Sequence, residues 1–195
     1  MDLRVKKTRE NIEEHFLQLL EKYPFQEISV KQLILECRIN RSTFYRNYED
    51  KYDLIQKIAQ EILEQFRRAL RPEFLFLPSS KQRQLEEMLT PFLDFFQKEG
   101  AVLQVLKRRE LPIDLFGDMH REFSKKILQE LEKKYCLDHE RKLVASYFAD
   151  VISANILAAI QWWHDQCPHM SRERILSLIS TTVIKGIAPS LQEKL

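Results

Sequence analysis

The run from Asn40 to Lys51, NRSTFYRNYEDK, packs two hydroxyls, two guanidinium groups, two carboxamides, two phenols and an ammonium into one short stretch. These are hydrogen-bond donors and acceptors, and no nucleophile, base and orienting group can be assembled from their spacing. Their chemistry is that of recognition. On a helical wheel Phe44 and Tyr48 fall together, four residues apart, and serve as anchors. The opposite side carries Ser42, Thr43 and Arg46, with Arg41 at the N-terminal end and Tyr45 and Asn47 on the two flanks. Such a helix can press its front into a groove and brace its sides against the walls; the major groove of DNA, roughly 12 Å wide, admits a helix in this way. Lys51, in the first turn of the next helix, joins backbone N–H groups that favour a phosphate. The bland alternative is a solvated polar face on a small helical domain.

The elements that must hold this stretch are legible around it. Ile12, Phe16, Leu19 and Leu20 repeat with helical spacing, and that helix must stop before Tyr23-Pro24, because the residue preceding proline avoids helical backbone. Ser29 caps a second helix, barely two turns long, with Val30, Leu33, Ile34 and Cys37 as its apolar stripe. Asn40 caps the third, running through Tyr48, and Asp50 a fourth that turns Leu54, Ile55, Ile58, Ile62 and Phe66 inward until Arg71-Pro72. Two short capped helices with a tight joint, then a basic residue opening a longer helix, form a conjunction that favours DNA over mere solvation.

Composition sets the frame. Three glycines in 195 residues disfavour tight hairpins and leave an all-α chain as the expectation. A formal net charge of +2 means that any basic binding surface is local. There is no uninterrupted apolar run of membrane length and no signal-peptide core near the N-terminus, so the expected location is cytoplasmic, with no membrane partner. Cys37, Cys136 and Cys167 are odd in number and scattered, which suits reduced, structural thiols.

The stretch Phe25 to Leu54 resembles the DNA-binding domain of the TetR family of bacterial transcription regulators, whose motif centres on T-[FL]-Y-x-x-[FY]-x-x-K-x-x-L. Thr43, Phe44, Tyr45, Tyr48, Lys51 and Leu54 stand in register with it, and Ile28, Val30 and Ile39 match its apolar positions. The resemblance implies base-edge or phosphate contacts for Arg41, Ser42, Thr43, Tyr45 and Asn47, with Lys51 on phosphate. Arg46 belongs to the same face, and Lys31, at the start of the second helix, is a further candidate. Two departures stand out: Cys37-Arg38 where the turn commonly carries Ala-Gly, and Asn47 for a frequent His. Arg38 lacks the freedom of glycine at positive φ, so a joint that is slightly strained or differently wound is expected. The resemblance further implies a three-helix helix-turn-helix domain (residues 1–70) and a larger helical regulatory and dimerisation domain (71–195). It also implies a homodimer through the last two helices, a palindromic operator on double-stranded DNA, and repression relieved by a small molecule.

Beyond the FLFLPSS connector, where Pro78 ends the apolar run and Ser79 or Ser80 is a cap, the pattern stays helical. Leu85, Met88, Leu89, Phe92 and Phe96 form a stripe that Pro91 should kink or break and Gly100 should close as a C-cap. Leu103 to Leu106 then reads as a separate short helix, and Met119, Phe123, Ile127 and Leu131 mark another. The most apolar helix puts Val144, Tyr147, Phe148, Val151, Ile152, Ile156 and Ala159 near one side, with Asn155 in its middle as a locally satisfied amide or a contact. Ser171 caps the last helix. Phe92, Phe96, Phe123, Tyr147 and Trp162 either line a pocket for an apolar effector or are ordinary core. His164, Cys167 and His169 lack the spacing of a zinc site, so no metal or cofactor is expected, and no feature marks an enzyme. A helical protein-interaction module without DNA binding is the alternative.

Overall fold

A computed structural model describes residues 3–77, 82–107, 110–167, 169–187, 189 and 191. The chain is all-α. Among the described residues eight α-helices follow one another: α1 Leu3–Lys22, α2 Val30–Glu36, α3 Arg41–Asn47, α4 Lys51–Ala69, α5 Gln82–Lys107, α6 Leu115–Lys134, α7 His139–Gln166 and α8 Arg172–Ile179. Short 3-10 turns occupy Phe25–Glu27 and Pro72–Phe76, and the helix after Ile179 widens into π-helical turns over Ser180–Ile187. Two compact units emerge, Met1–Glu64 with Ala101–Leu115, and Gln65–Gly100 with Phe116–Leu195. The connector around 70–77 lies in the second of them, and its expected features Pro78, Ser79 and Ser80 fall outside the described residues.

In the first unit, local chemistry sets each boundary. α1 ends at Lys22, ahead of Pro24, and buries Ile12, Phe16, Leu19 and Leu20. The Ser29 side chain accepts from the Gln32 N–H at 3.1 Å, and the Asn40 carboxamide oxygen from the Thr43 N–H at 2.7 Å. Asp50 Oδ1 accepts from the N–H groups of Tyr52 and Asp53, each at 2.8 Å, at the start of α4. These caps satisfy donors that the first turn of a helix leaves open. Leu33, Phe44, Leu54, Ile55, Ile58 and Ile62 complete the core, together with Leu103, Leu106 and Leu115 of the returning segment.

In the second unit Phe66 is ringed by Phe92, Phe95, Phe96 and Phe123 at centroid distances of 5.8, 5.6, 6.2 and 6.2 Å. The Lys126 ammonium donates to the carbonyls of Arg67 at 3.3 Å and Leu70 at 3.1 Å, where α4 ends, and Arg67 Nε donates to Glu122 at 2.9 Å. α5 differs from expectation in continuity. It runs unbroken through Pro91 and past Gly100, so Leu103 to Leu106 belongs to it. Gly100 is not a cap: a Cβ there would sit 2.3 Å from His164 Nε2 on α7, and the missing side chain makes room for that ring.

α7 also turns a different face inward. Ala145, Ala149, Ile152, Ser153, Ile156, Leu157, Ile160 and Trp163 are buried, and the Trp163 indole donates to the Met170 carbonyl at 2.9 Å. Tyr147 is 63% exposed and Trp162 44%. Both faces of this helix are apolar, so periodicity alone does not choose between them. By length and composition α7 is also long and apolar enough to cross a membrane, a property it shares with the core helices of soluble proteins. Ser171 caps α8 by accepting from the Arg174 N–H at 3.3 Å, and the Asn155 oxygen accepts from the Thr182 hydroxyl of the π-helical turns at 3.1 Å.

Candidate nucleic-acid interface

The joint between α2 and α3 places the stretch from Arg41 to Lys51. Cys37 closes α2 and Arg38 follows at φ 51, the left-handed conformation. The Arg38 N–H donates to the Leu35 carbonyl and the Ile39 N–H to the Ile34 carbonyl, both at 3.2 Å, the paired bonds of a Schellman ending. Glycine normally takes this place because Cβ is costly at positive φ. Arg38→Gly is therefore expected to stabilise the protein by about 0.5–1 kcal/mol, the relief of left-handed strain exceeding glycine's extra entropy in the unfolded chain. A higher urea midpoint at unchanged slope would show it; an unchanged midpoint would mean that the joint is unstrained.

The joint is tied to α1, where Asn11 Nδ2 donates to the Cys37 carbonyl at 3.0 Å. The Cys37 thiol is buried, and burial pushes its pKa up to about 11. It is held as an inert thiol.

α3 is pinned by Phe44, fully buried, and by Tyr48, which follows the helix in extended backbone, with ring centroids 5.9 Å apart. With these two inward, Arg41, Ser42, Tyr45 and Arg46 lie exposed and Thr43 half-buried. The Arg41 guanidinium stands 5.3 Å over the Tyr45 ring, an arrangement that keeps both side chains on the outer face. At the helix start three donors converge on Asn40 Oδ1: the Thr43 N–H, the Ser42 hydroxyl at 2.8 Å and the Thr43 hydroxyl at 2.7 Å. Lys31, in the first turn of α2, is exposed as well.

Two of the expected contact residues are placed elsewhere. Asn47 is only 7% exposed; its amide donates to the Thr43 carbonyl at 2.8 Å and its oxygen accepts from Arg9 Nε at 3.3 Å. It faces α1, because a helical position three beyond Phe44 shares much of the inward side. Lys51 bends back onto the 3-10 turn, its ammonium donating to the carbonyls of Phe25, Gln26 and Ile28 at 2.9, 3.1 and 2.9 Å. The same ammonium lies 4.7 Å over the Phe25 ring, and burial holds its pKa below the ordinary lysine value. Three carbonyls and an aromatic face satisfy this cation within the chain.

No family model matches the chain. Over 119 residues it is 24% identical to a protein of Bacillus subtilis (strain 168) named as the uncharacterized HTH-type transcriptional regulator YxbF. The match covers 61% of this chain and 29% of that protein, so the chain spans less than a third of its relative. The similarity is to a helix-turn-helix regulator.

The five aromatic residues expected to share a pocket do not. Phe92, Phe96 and Phe123 close around Phe66 in the packed core of the second unit, whereas Tyr147 and Trp162 lie on the exposed side of α7. A shallow hollow of about 330 Å³ on this unit is lined by Gln65, Arg68, Ala69, Pro91, Asp94, Phe95 and Lys98, none of them among those five. Among the described residues no three His, Cys, Asp or Glu side chains gather as a metal site.

Proposed function

We propose that the protein is a sequence-specific, double-stranded-DNA-binding transcription regulator of the TetR kind, acting in the cytoplasm as a homodimeric repressor and catalysing no reaction. One observation carries this reading: α3 buries Phe44 and leaves Arg41, Ser42, Tyr45 and Arg46 outside, so that a helix of groove-fitting size offers its polar side to a duplex. The similarity to a protein named as a helix-turn-helix regulator supports it.

The dimer reading draws on α7. Leu143, Tyr147, Ala154, Ala158 and Trp162 form an exposed stripe along one side of that helix, and Leu178 of α8 is exposed too. Apolar stripes of this length are usually covered by a partner, and a second copy meets them with twofold symmetry. Two copies of α3 related by that axis call for a near-palindromic operator.

Light scattering on a sizing column should give twice the chain mass, and selection from random duplexes should enrich a palindrome. A monomer that enriches no sequence would sink this reading and favour a helical protein-interaction module. Arg41→Ala is expected to cost about 1–3 kcal/mol of operator affinity, concentrated at particular base pairs, if the guanidinium reads a base edge. Competition titrations against single-base variants of the selected site measure this, and a loss equal for all sequences would make Arg41 a phosphate contact.

A further inference from the structure

The far end of α3 is held by polar bonds as well as by packing. The Tyr48 hydroxyl donates to Glu13 Oε1 at 2.6 Å, and the Arg9 guanidinium donates to Asn47 as described. Both partners come from α1, one helical turn apart, and Lys57 of α4 adds a bond from its ammonium to the Asn47 carbonyl at 3.2 Å. Glu13 lies in a cleft of about 420 Å³ with Lys6, Arg9, Glu10, Tyr48, Lys57, Gln60 and Glu61. A phenylalanine at position 48 would fill the same core space without the hydroxyl, and packing alone is non-directional. A short bond from a phenol to a carboxylate is directional and charge-assisted.

We propose that Glu13 and Arg9 of α1 are positioning residues for α3: through Tyr48 and Asn47 they fix the rotation and tilt at which the Arg41–Arg46 face is presented. The inference rests on the duplex-binding reading for its consequence, and on the geometry of the first unit for its substance. Burial, the largest influence, pushes the Glu13 carboxyl above its ordinary pKa, with Tyr48 opposing and Glu61 adding to the rise. Glutamine at position 13 keeps the accepting oxygen without the buried charge.

The test uses the full chain, a duplex selected by the wild type from a random pool, and amide hydrogen exchange without DNA. Tyr48→Phe and Glu13→Ala are each expected to weaken duplex binding about tenfold, a change of ~1.4 kcal/mol, with the double variant no worse than either alone. Glu13→Gln should bind within about twofold of wild type, a rescue that lost packing would not produce. Exchange of the α3 amides should rise in the two weakened variants while that of Leu54 to Ile62 stays unchanged. Folded variants that bind as the wild type does, or exchange that rises equally in both helices, would overturn the proposal. Should the wild type bind no duplex, the reading of function falls, and the exchange data alone decide the positioning. If Tyr48→Phe fails to fold, Glu13→Ala and Arg9→Ala are read against Glu13→Gln in the same way.

Discussion

Phe66→Ala is expected to cost the second unit about 3–5 kcal/mol, the range for deleting a large aromatic side chain from a packed core. The ring is fully buried and touches four others, and those rings also meet one another: Phe92 lies 5.1 Å from Phe96 and 5.5 Å from Phe123. Deleting the central member strips contacts from every neighbour and leaves a void that stiff aromatic groups close poorly. Phe66→Leu, which keeps most of the volume, should lose far less. Urea unfolding followed by near-ultraviolet dichroism reads both variants. If alanine cost no more than leucine, the rings would have to collapse into the gap, and the cluster would be looser than its geometry implies.

Lys51→Ala is the second large effect, and its character separates two roles for one residue. As a phosphate contact, Lys51 would on removal lower the salt slope of duplex binding by about one unit and leave stability alone. The structure instead seats the ammonium on three carbonyls of the Phe25 to Ile28 segment. Bonds to a charged donor are worth more than neutral ones, and water can reach part of this site, so a loss of about 2–3 kcal/mol in stability is expected with the salt slope unchanged. Arginine should not restore it, since a flat guanidinium cannot meet three converging oxygens as a compact ammonium does. Urea midpoints and affinity titrations across salt concentrations provide the two readouts; intact stability with a shallower slope would return Lys51 to the phosphate.

What the sequence makes legible is what adjacent residues decide. Ser29, Asn40, Asp50 and Ser171 cap as their types and positions require, and Pro24 ends α1, because these interactions span four residues or fewer. The inward stripes of α1, α4 and α6 follow helical spacing, as one face of each is apolar and the other is not. α7 lacks that contrast, so Tyr147 and Trp162 could not be told from Ala149 and Trp163 by pattern. Gly100 reads as a stop until His164, far along the chain, is seen to occupy the space a side chain would need. Lys51 is misplaced for the same reason: its carbonyl partners lie more than twenty residues away. The joint at Arg38 is the instructive middle case, for the absence of glycine was visible and the left-handed backbone it implies is present.

The convergence on Asn40 reaches beyond capping. A backbone N–H can only give a proton, so the carboxamide atom that receives it is oxygen, and the Ser42 and Thr43 hydroxyls meeting that atom must also give theirs. Each is left with lone pairs alone to show the outside. On the proposed duplex-binding reading, adenine N6 and cytosine N4 amino groups would suit such a spot, whereas guanine O6, thymine O4 and phosphate oxygens would be repelled by it.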